Sequence, residues 1–315
     1  MRIVVYTPGD EASAWCTELL RRLPGAEVWV FDPADAHRQA DFAVVWAPPA
    51  DMFAAPAPFK AIFTMGAGVD RLLRTPDLLA LTRGAPIIRL NDAGMSAQMA
   101  EYVCHALVRH TRQLAAYEAQ QAAGQWHKWP GISREEWPVG VMGLGSIGEP
   151  VARAVAALGY PTLGWSRSAR KVEGIETLHG AAALDGFLRR VRVLVCVLPL
   201  TPETDGLLNR ERLSQLKSGG YLINVARGQH VVDEDLIALI DAGHLAGATL
   251  DVFREEPLPA AHPFWRHPKI AVTPHISAIT LLAESAAQIA GKIRQLEAGE
   301  PLARIDGVVD AARGY

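Results

Sequence analysis

Short apolar runs alternate along the chain with segments whose apolar residues recur every three or four positions. The runs Ile3–Tyr6, Glu27–Phe31, Phe42–Trp46, Ala61–Met65 and Pro86–Arg89 predict strands in the first hundred residues. Ala12–Arg22 and Asp70–Leu73 predict helices between them. Ser96 to Gly124 carries one long helical pattern, with Met99, Tyr102, Val103, Ala106 and Leu107 on one face and Ser96 as its N-cap. A second alternating series follows. Its strands are Val139–Met142, Pro161–Trp165, Val193–Leu198, Tyr221–Val225, Ala246–Val252 and Ile270–Thr273. Its helices are Leu184–Arg190, Asn209–Leu216 and Asp233–Ala242, and Leu281–Gly299 is an amphipathic tail helix. Strands this apolar are buried on both faces, which parallel sheets covered by helices require. The pattern predicts an α/β protein of two Rossmann-like or flavodoxin-like domains with parallel sheets and an interdomain cleft. Residues 1–97 with 285–315 form one expected domain, and residues 98–284 form the other.

Composition narrows the function. A chain of 315 residues, 50% hydrophobic, suits two cores better than one. A formal net charge of -3 supplies no basic field for nucleic acid. Cys16, Cys104 and Cys196 are odd in number, far apart and set in apolar surroundings, as expected of reduced core thiols. The N-terminus reads as a first strand without a signal peptide's apolar core, and no apolar run could cross a bilayer. A soluble, cytoplasmic protein with no membrane or nucleic-acid partner is expected. The histidines show no metal-ligand spacing, so no metal is expected. Trp126 and Trp129 are open to three roles: core, interface or lid.

The densest motif follows the strand at Val139–Met142. Gly143, Gly145 and Gly148 have G-x-G-x-x-G spacing, then Val151 and Val155 continue at helical spacing. In that arrangement the first glycine allows a tight turn, the second lets backbone approach a pyrophosphate, and the third lets helix and strand pack closely. The helix N-terminus then faces the anion. A plain turn before a helix would also use glycines, but the apolar run Pro161–Trp165 completes a βαβ unit. The stretch after it, Trp165-Ser166-Arg167-Ser168, has no acid to hold a ribose 2′-hydroxyl. Arg167 and Ser168 suit a 2′-phosphate, so NADPH is expected over NADH, with NAD possible.

Three polar residues follow late strands at their carboxyl ends: Arg227, Glu256 and His275. A guanidinium can bind a carboxylate and polarise a neighbouring carbonyl. An imidazole can deliver a proton as hydride arrives, and a carboxylate beside it orients it and favours its charged form. Each alone is more often a surface or packing residue. Their conjunction with a dinucleotide motif points to hydride transfer on a 2-oxo acid. The glycine loop Met65-Gly66-Ala67-Gly68-Val69-Asp70 and the stretch Trp46-Ala47-Pro48-Pro49 also follow strands, where ligands gather.

These residues carry a resemblance. Gly143-Leu144-Gly145-Ser146-Ile147-Gly148, Leu198-Pro199-Leu200-Thr201 with Thr204, and Asn224-Val225-Ala226-Arg227-Gly228 are similar to the D-isomer-specific 2-hydroxyacid dehydrogenase family. So are Ala248–Phe253 through Glu256-Pro257-Leu258-Pro259, and Thr273-Pro274-His275. Arg89 to Val103 and the Trp-Ser-Arg-Ser turn resemble its glyoxylate/hydroxypyruvate reductase A branch. The resemblance implies NADPH-dependent reduction of glyoxylate and hydroxypyruvate to glycolate and D-glycerate by a homodimer, with Arg227, Glu256 and His275 catalytic. It implies cofactor contacts from Gly143 to Gly148, Trp165 to Ser168, Leu198, Pro199, Thr204, Val225, Ala226, Asp251 and His275. It implies substrate contacts from Ala67, Gly68, Val69 and Arg227. Trp46 and Met95 are candidates for keeping the substrate pocket small, or for plain core packing. The alternatives are a family enzyme for a bulkier 2-oxo acid, or a non-catalytic NAD(P)-responsive binding protein.

Overall fold

The computed structural model describes residues 1–53, 58–73 and 78–310. The last five residues of the expected 285–315 segment lie outside the described residues. The chain divides into two compact units, Met1–Gly94 with Thr280–Tyr315, and Met95–Ile279.

The first unit runs β1 (Arg2–Tyr6), α1 (Ala12–Arg22), β2 (Glu27–Val30), β3 (Phe42–Val45), β4 (Ala61–Thr64), α2 (Asp70–Leu73), α3 (Leu78–Leu81) and β5 (Ile87–Ile88). Its sheet has the order β2-β1-β3-β4-β5, and every strand pair is parallel. This is the doubly wound flavodoxin-like order, which puts its ligand-binding rim at the strands' carboxyl ends. β3 and β4 are buried along their whole length, which is why they read as unbroken apolar runs.

The second unit begins with α4 (Met95–Thr111) and α5 (Leu114–Ala122). Then come β6 (Val139–Met142), α6 (Gly148–Ala157), β7 (Thr162–Ser166), β8 (Glu176–His179), α7 (Ala181–Leu188) and β9 (Val193–Cys196). It closes with α8 (Arg210–Leu213), β10 (Gly220–Asn224), α9 (Asp233–Asp241), β11 (Leu245–Leu250) and β12 (Ile270–Val272). The sheet order is β12-β11-β10-β9-β6-β7-β8, again parallel throughout. The order reverses between β6 and β9, the crevice where dinucleotides bind in such sheets. Two apolar layers flank it. One is built on Phe187, Leu188, Leu213, Leu236 and Phe264, and the other on Val103, Leu107, Val151 and Val155.

α10 (Leu282–Glu297) belongs to the first unit, where it packs on α1. Arg22 Nη2 donates to the Ala283 carbonyl at 2.7 Å, and Arg294 Nη1 donates to the Arg22 carbonyl at 3.1 Å. No helix among the described residues is long and apolar enough to cross a membrane.

Three expectations change. The pattern from Ser96 to Gly124 is two helices, not one. Gln113, at φ +54°, breaks it. Up to Thr111 the helix buries an apolar stripe, whereas α5 buries nothing, so no core contact enforces continuation. α4 starts at Met95, so Ser96 sits in its first turn instead of capping it. β8 adds a strand that the apolar pattern does not predict, because Glu176-Thr177-Leu178-His179 is a half-buried edge strand with little apolar signal.

Phe187 supports the glycine motif's strand from below: a Cβ on Gly140 of β6 would lie 2.6 Å from Phe187 Cζ. Phe187→Ala should cost about 3–5 kcal/mol, read as a lower denaturation midpoint in urea. A midpoint equal to the wild type would show that the strand does not depend on this ring.

Candidate active site

The glycine motif folds as its spacing requires. Gly143 has φ +100°, and a Cβ there would sit 2.6 Å from the Val197 carbonyl oxygen. A Cβ on Gly148 would sit 1.7 Å from the Gly143 carbonyl oxygen, so only glycine lets α6 start this close to β6. Gly145 differs, because nothing stands within 4 Å of a Cβ built there. Two glycines are therefore consumed by packing, and the third leaves bare backbone facing open space at a helix N-terminus. That combination fits a pyrophosphate. Leu144 points its side chain into the sheet against Gly164, so it can offer such a ligand backbone only.

The end of β7 separates the expected cofactor residues by role. Trp165 is a core residue whose indole N–H donates to the Gly180 carbonyl at 3.0 Å. Ser166 Oγ donates to the Ser168 carbonyl at 2.8 Å, which shapes the turn. Arg167 and Ser168 are exposed beyond it. After β9, Thr204 Oγ1 donates to the Pro199 carbonyl at 2.9 Å and accepts the Thr201 N–H at 2.8 Å, closing that loop on itself. Leu198, Val225 and Ala226 are buried at the same rim.

Glu256 and His275 meet directly. His275 Nδ1 lies 2.8 Å from Glu256 Oε2, and the other carboxylate oxygen accepts the Phe253 N–H at 3.0 Å. Burial pushes the Glu256 pKa up. The His275 hydrogen bond, the Phe253 N–H and the charges of His275 and Arg227 outweigh it and hold the group below its ordinary 4.5. Engaging Nδ1 leaves Nε2 as the ring's outward nitrogen. The imidazole is partly exposed, so this nitrogen can meet a ligand.

His275 sits at φ +56°, an unusual conformation for a residue with a side chain. Asp251 holds it there. The Asp251 carbonyl accepts the His275 N–H at 2.8 Å. The fully buried Asp251 carboxylate accepts from Thr273 Oγ1 at 2.6 Å, from the Ile276 N–H at 2.9 Å and from the Ser277 N–H at 2.8 Å. Tyr102 of α4 in turn bonds Thr273 Oγ1. Burial pushes the Tyr102 hydroxyl up to about 12.

Arg227 follows β10 on a turn with both backbone groups engaged. Asn224 Nδ2 donates to its carbonyl at 2.9 Å, and its N–H donates to His230 Nδ1 at 3.2 Å. The guanidinium folds over its own turn, with Nη1 donating to the Ala226 carbonyl at 2.7 Å. Gly228 lets this turn touch the Glu256 loop, since a Cβ there would lie 1.9 Å from the Phe253 carbonyl carbon. Gln229 Nε2 donates to the Arg254 carbonyl at 3.0 Å, and Arg254 Nε donates to the Val231 carbonyl at 2.8 Å. Guanidinium, carboxylate and imidazole thus stand on three loops stitched into one body. Asn224 and Thr273 appear in the sequence motifs without a role of their own, and His230 is not among the sequence candidates. Their available signal was spacing: Asn224 ends β10 three residues before Arg227, and His230 lies three residues after it.

In the first unit, the indole of Trp46 covers Gly66, with Cζ3 2.9 Å from where a Cβ would be. Trp46, Ala47, Pro48, Thr64, Gly68 and Leu72 line a cavity of about 190 Å³. Met95 is buried at the start of α4.

Several known proteins are similar to this chain. The model of the D-isomer specific 2-hydroxyacid dehydrogenase NAD binding domain matches residues 104–277. Glyoxylate/hydroxypyruvate reductase A of Serratia proteamaculans is 42% identical over 317 residues, covering 100% of both chains. The protein of that name from Salmonella newport is 43% identical over 319 residues, again covering 100% of both. A D-isomer specific 2-hydroxyacid dehydrogenase from Xanthobacter autotrophicus Py2, solved with NADPH and MES, superposes with a TM-score of 0.92. It is 40% identical, with 100% of this chain and 99% of that one covered. The NADPH-dependent glyoxylate/hydroxypyruvate reductase of Sinorhizobium meliloti, solved with NADP and sulfate, gives 0.90 at 36% identity and the same coverage.

Glu256→Gln tests the carboxylate's electrostatic part. A folded-state pKa below 4.5 means that ionised Glu256 contributes stability that is present above pH 4.5 and lost as pH falls through the lower folded value. The gap in Tm between wild type and E256Q should therefore be open above pH 4.5 and close below it. A gap independent of pH would remove the charge from the account.

Proposed function

Because the chain belongs to the D-isomer specific 2-hydroxyacid dehydrogenase family, we propose that it reduces glyoxylate and hydroxypyruvate to glycolate and D-glycerate with NADPH. The observation that carries this reading is the 2.8 Å contact between His275 Nδ1 and Glu256 Oε2, with Arg227 near enough to add its charge to theirs. That set suits a reaction in which a carbonyl oxygen gains negative charge and needs a proton.

NADPH, when bound, supplies the hydride. The backbone from Gly143 to Gly148 would hold its pyrophosphate, and Arg167 and Ser168 its 2′-phosphate. Leu198, Pro199, Thr204, Val225, Ala226 and Asp251 are proposed along its remaining length, Asp251 through backbone because its carboxylate is buried. The backbone of Ala67, Gly68 and Val69 would take the substrate carboxylate. Arg227 holds the oxo acid and polarises its carbonyl. As C2 receives the hydride, His275 Nε2 gives the carbonyl oxygen a proton. Glu256 keeps the ring oriented and stabilises the imidazolium that must be present beforehand. Trp46, over the 190 Å³ cavity, would limit the substrate to a short chain. The protein would work in the cytoplasm as a homodimer.

The test follows NADPH absorbance at 340 nm with glyoxylate, hydroxypyruvate and a bulkier oxo acid. The first two should be turned over and the third poorly. His275→Ala should lower kcat/KM by about 10²–10⁴-fold while NADPH still binds. Unchanged kcat/KM in H275A would end the imidazole's assigned role.

A further inference from the structure

We propose that His230 is the positioning residue for Arg227, and that it ties the turn bearing the guanidinium to the Leu198–Thr204 loop. The proposal rests on the oxo acid reductase reading above.

His230 is a fully buried histidine that takes no part in the Glu256–His275 pair. Its ring joins two loops. Nδ1 accepts the Arg227 backbone N–H at 3.2 Å, and Nε2 lies 3.3 Å from the Pro199 carbonyl. With its proton on Nε2, the neutral imidazole satisfies both partners at once. Nδ1 is also 2.9 Å from the Arg227 carbonyl. That oxygen takes its hydrogen bonds from Asn224 Nδ2 at 2.9 Å and from the His230 N–H at 3.3 Å. Buried side chains on either side therefore clamp the Arg227 peptide groups.

The same two loops run together beyond the ring. Gly206 N–H donates to the Gln229 carbonyl at 2.8 Å, and Leu208 N–H donates to the His230 carbonyl at 2.8 Å. The imidazole closes this seam at Pro199, whose carbonyl also receives the Thr204 hydroxyl. A long side chain such as Arg227 is aimed by its backbone, and a guanidinium that must meet a small carbonyl tolerates little error.

Three substitutions separate the two bonds. His230→Phe keeps the ring and loses both. His230→Asn places an amide oxygen close to the position of Nδ1 and gives up Pro199. His230→Gln can reach Pro199 but carries no acceptor at the Arg227 N–H. H230F and H230Q should lose about 10–100-fold in kcat/KM for glyoxylate, with the NADPH Kd, from fluorescence titration, within about threefold of wild type. H230N should recover to within about threefold of wild type. In an R227A background, H230F should cost nothing further.

Amide hydrogen exchange at Arg227 supplies a readout independent of turnover. It should speed up about tenfold or more in H230F and H230Q and stay slow in H230N. Wild-type kcat/KM in H230F or H230Q, an H230N as impaired as H230F, or unchanged Arg227 exchange would overturn the proposal. If the wild type turns over no oxo acid, the reductase reading fails, and the exchange rates alone decide whether His230 positions Arg227.

Discussion

The buried carboxylate of Asp251 is the interaction on which the candidate active site depends. A charge removed from water costs several kcal/mol unless donors replace the lost hydration. Here a hydroxyl and two backbone N–H groups do so, and all three come from the stretch 273–277. The chain is thereby bent back at the end of β12, and His275 is held in a left-handed conformation it would not adopt alone. A position that solves a burial problem also sets the direction of an imidazole.

The neighbouring loops repeat the logic with different chemistry. Asn224 and His230 anchor the Arg227 turn through its peptide groups. Gly228 removes the one side chain that would separate that turn from Phe253. Glu256 then receives both a backbone donor and an imidazole, and its pKa falls despite partial burial. The parallel sheet brings the three loops to one rim, and short hydrogen bonds make them a single unit. An arrangement of this kind spends its reorganisation in folding, before any substrate arrives.

Much of this was legible in the sequence because it follows from local chemistry. Fully buried strands such as β6 and β9 are apolar runs that can be little else, and Gly143, Gly145 and Gly148 have the spacing of a strand–turn–helix. Arg227, Glu256 and His275 are each ordinary alone and could be picked out because all three follow late apolar runs beside a dinucleotide motif. The illegible parts depend on contacts between distant segments. The break at Gln113 follows from the end of tertiary support for a helical pattern that itself continues. The edge strand Glu176–His179 borrows its conformation from β7. The Trp165 side chain lies in the core while Arg167 and Ser168 just beyond it are exposed, because side-chain direction along a strand is settled by sheet packing. His230 looks ordinary in sequence and is informative only once Pro199, 31 residues away, is seen beside it.

In the proposed reaction this site moves a hydride from NADPH onto the oxo carbon of a small acid. Its most direct test is isotopic. The protein would be given hydroxypyruvate and NADPH carrying deuterium at both C4 positions, and the glycerate formed would be analysed by mass spectrometry and NMR. D-glycerate with one deuterium at C2 is expected. Glycerate without deuterium at C2, or no glycerate while NADPH remains tightly bound, would contradict it.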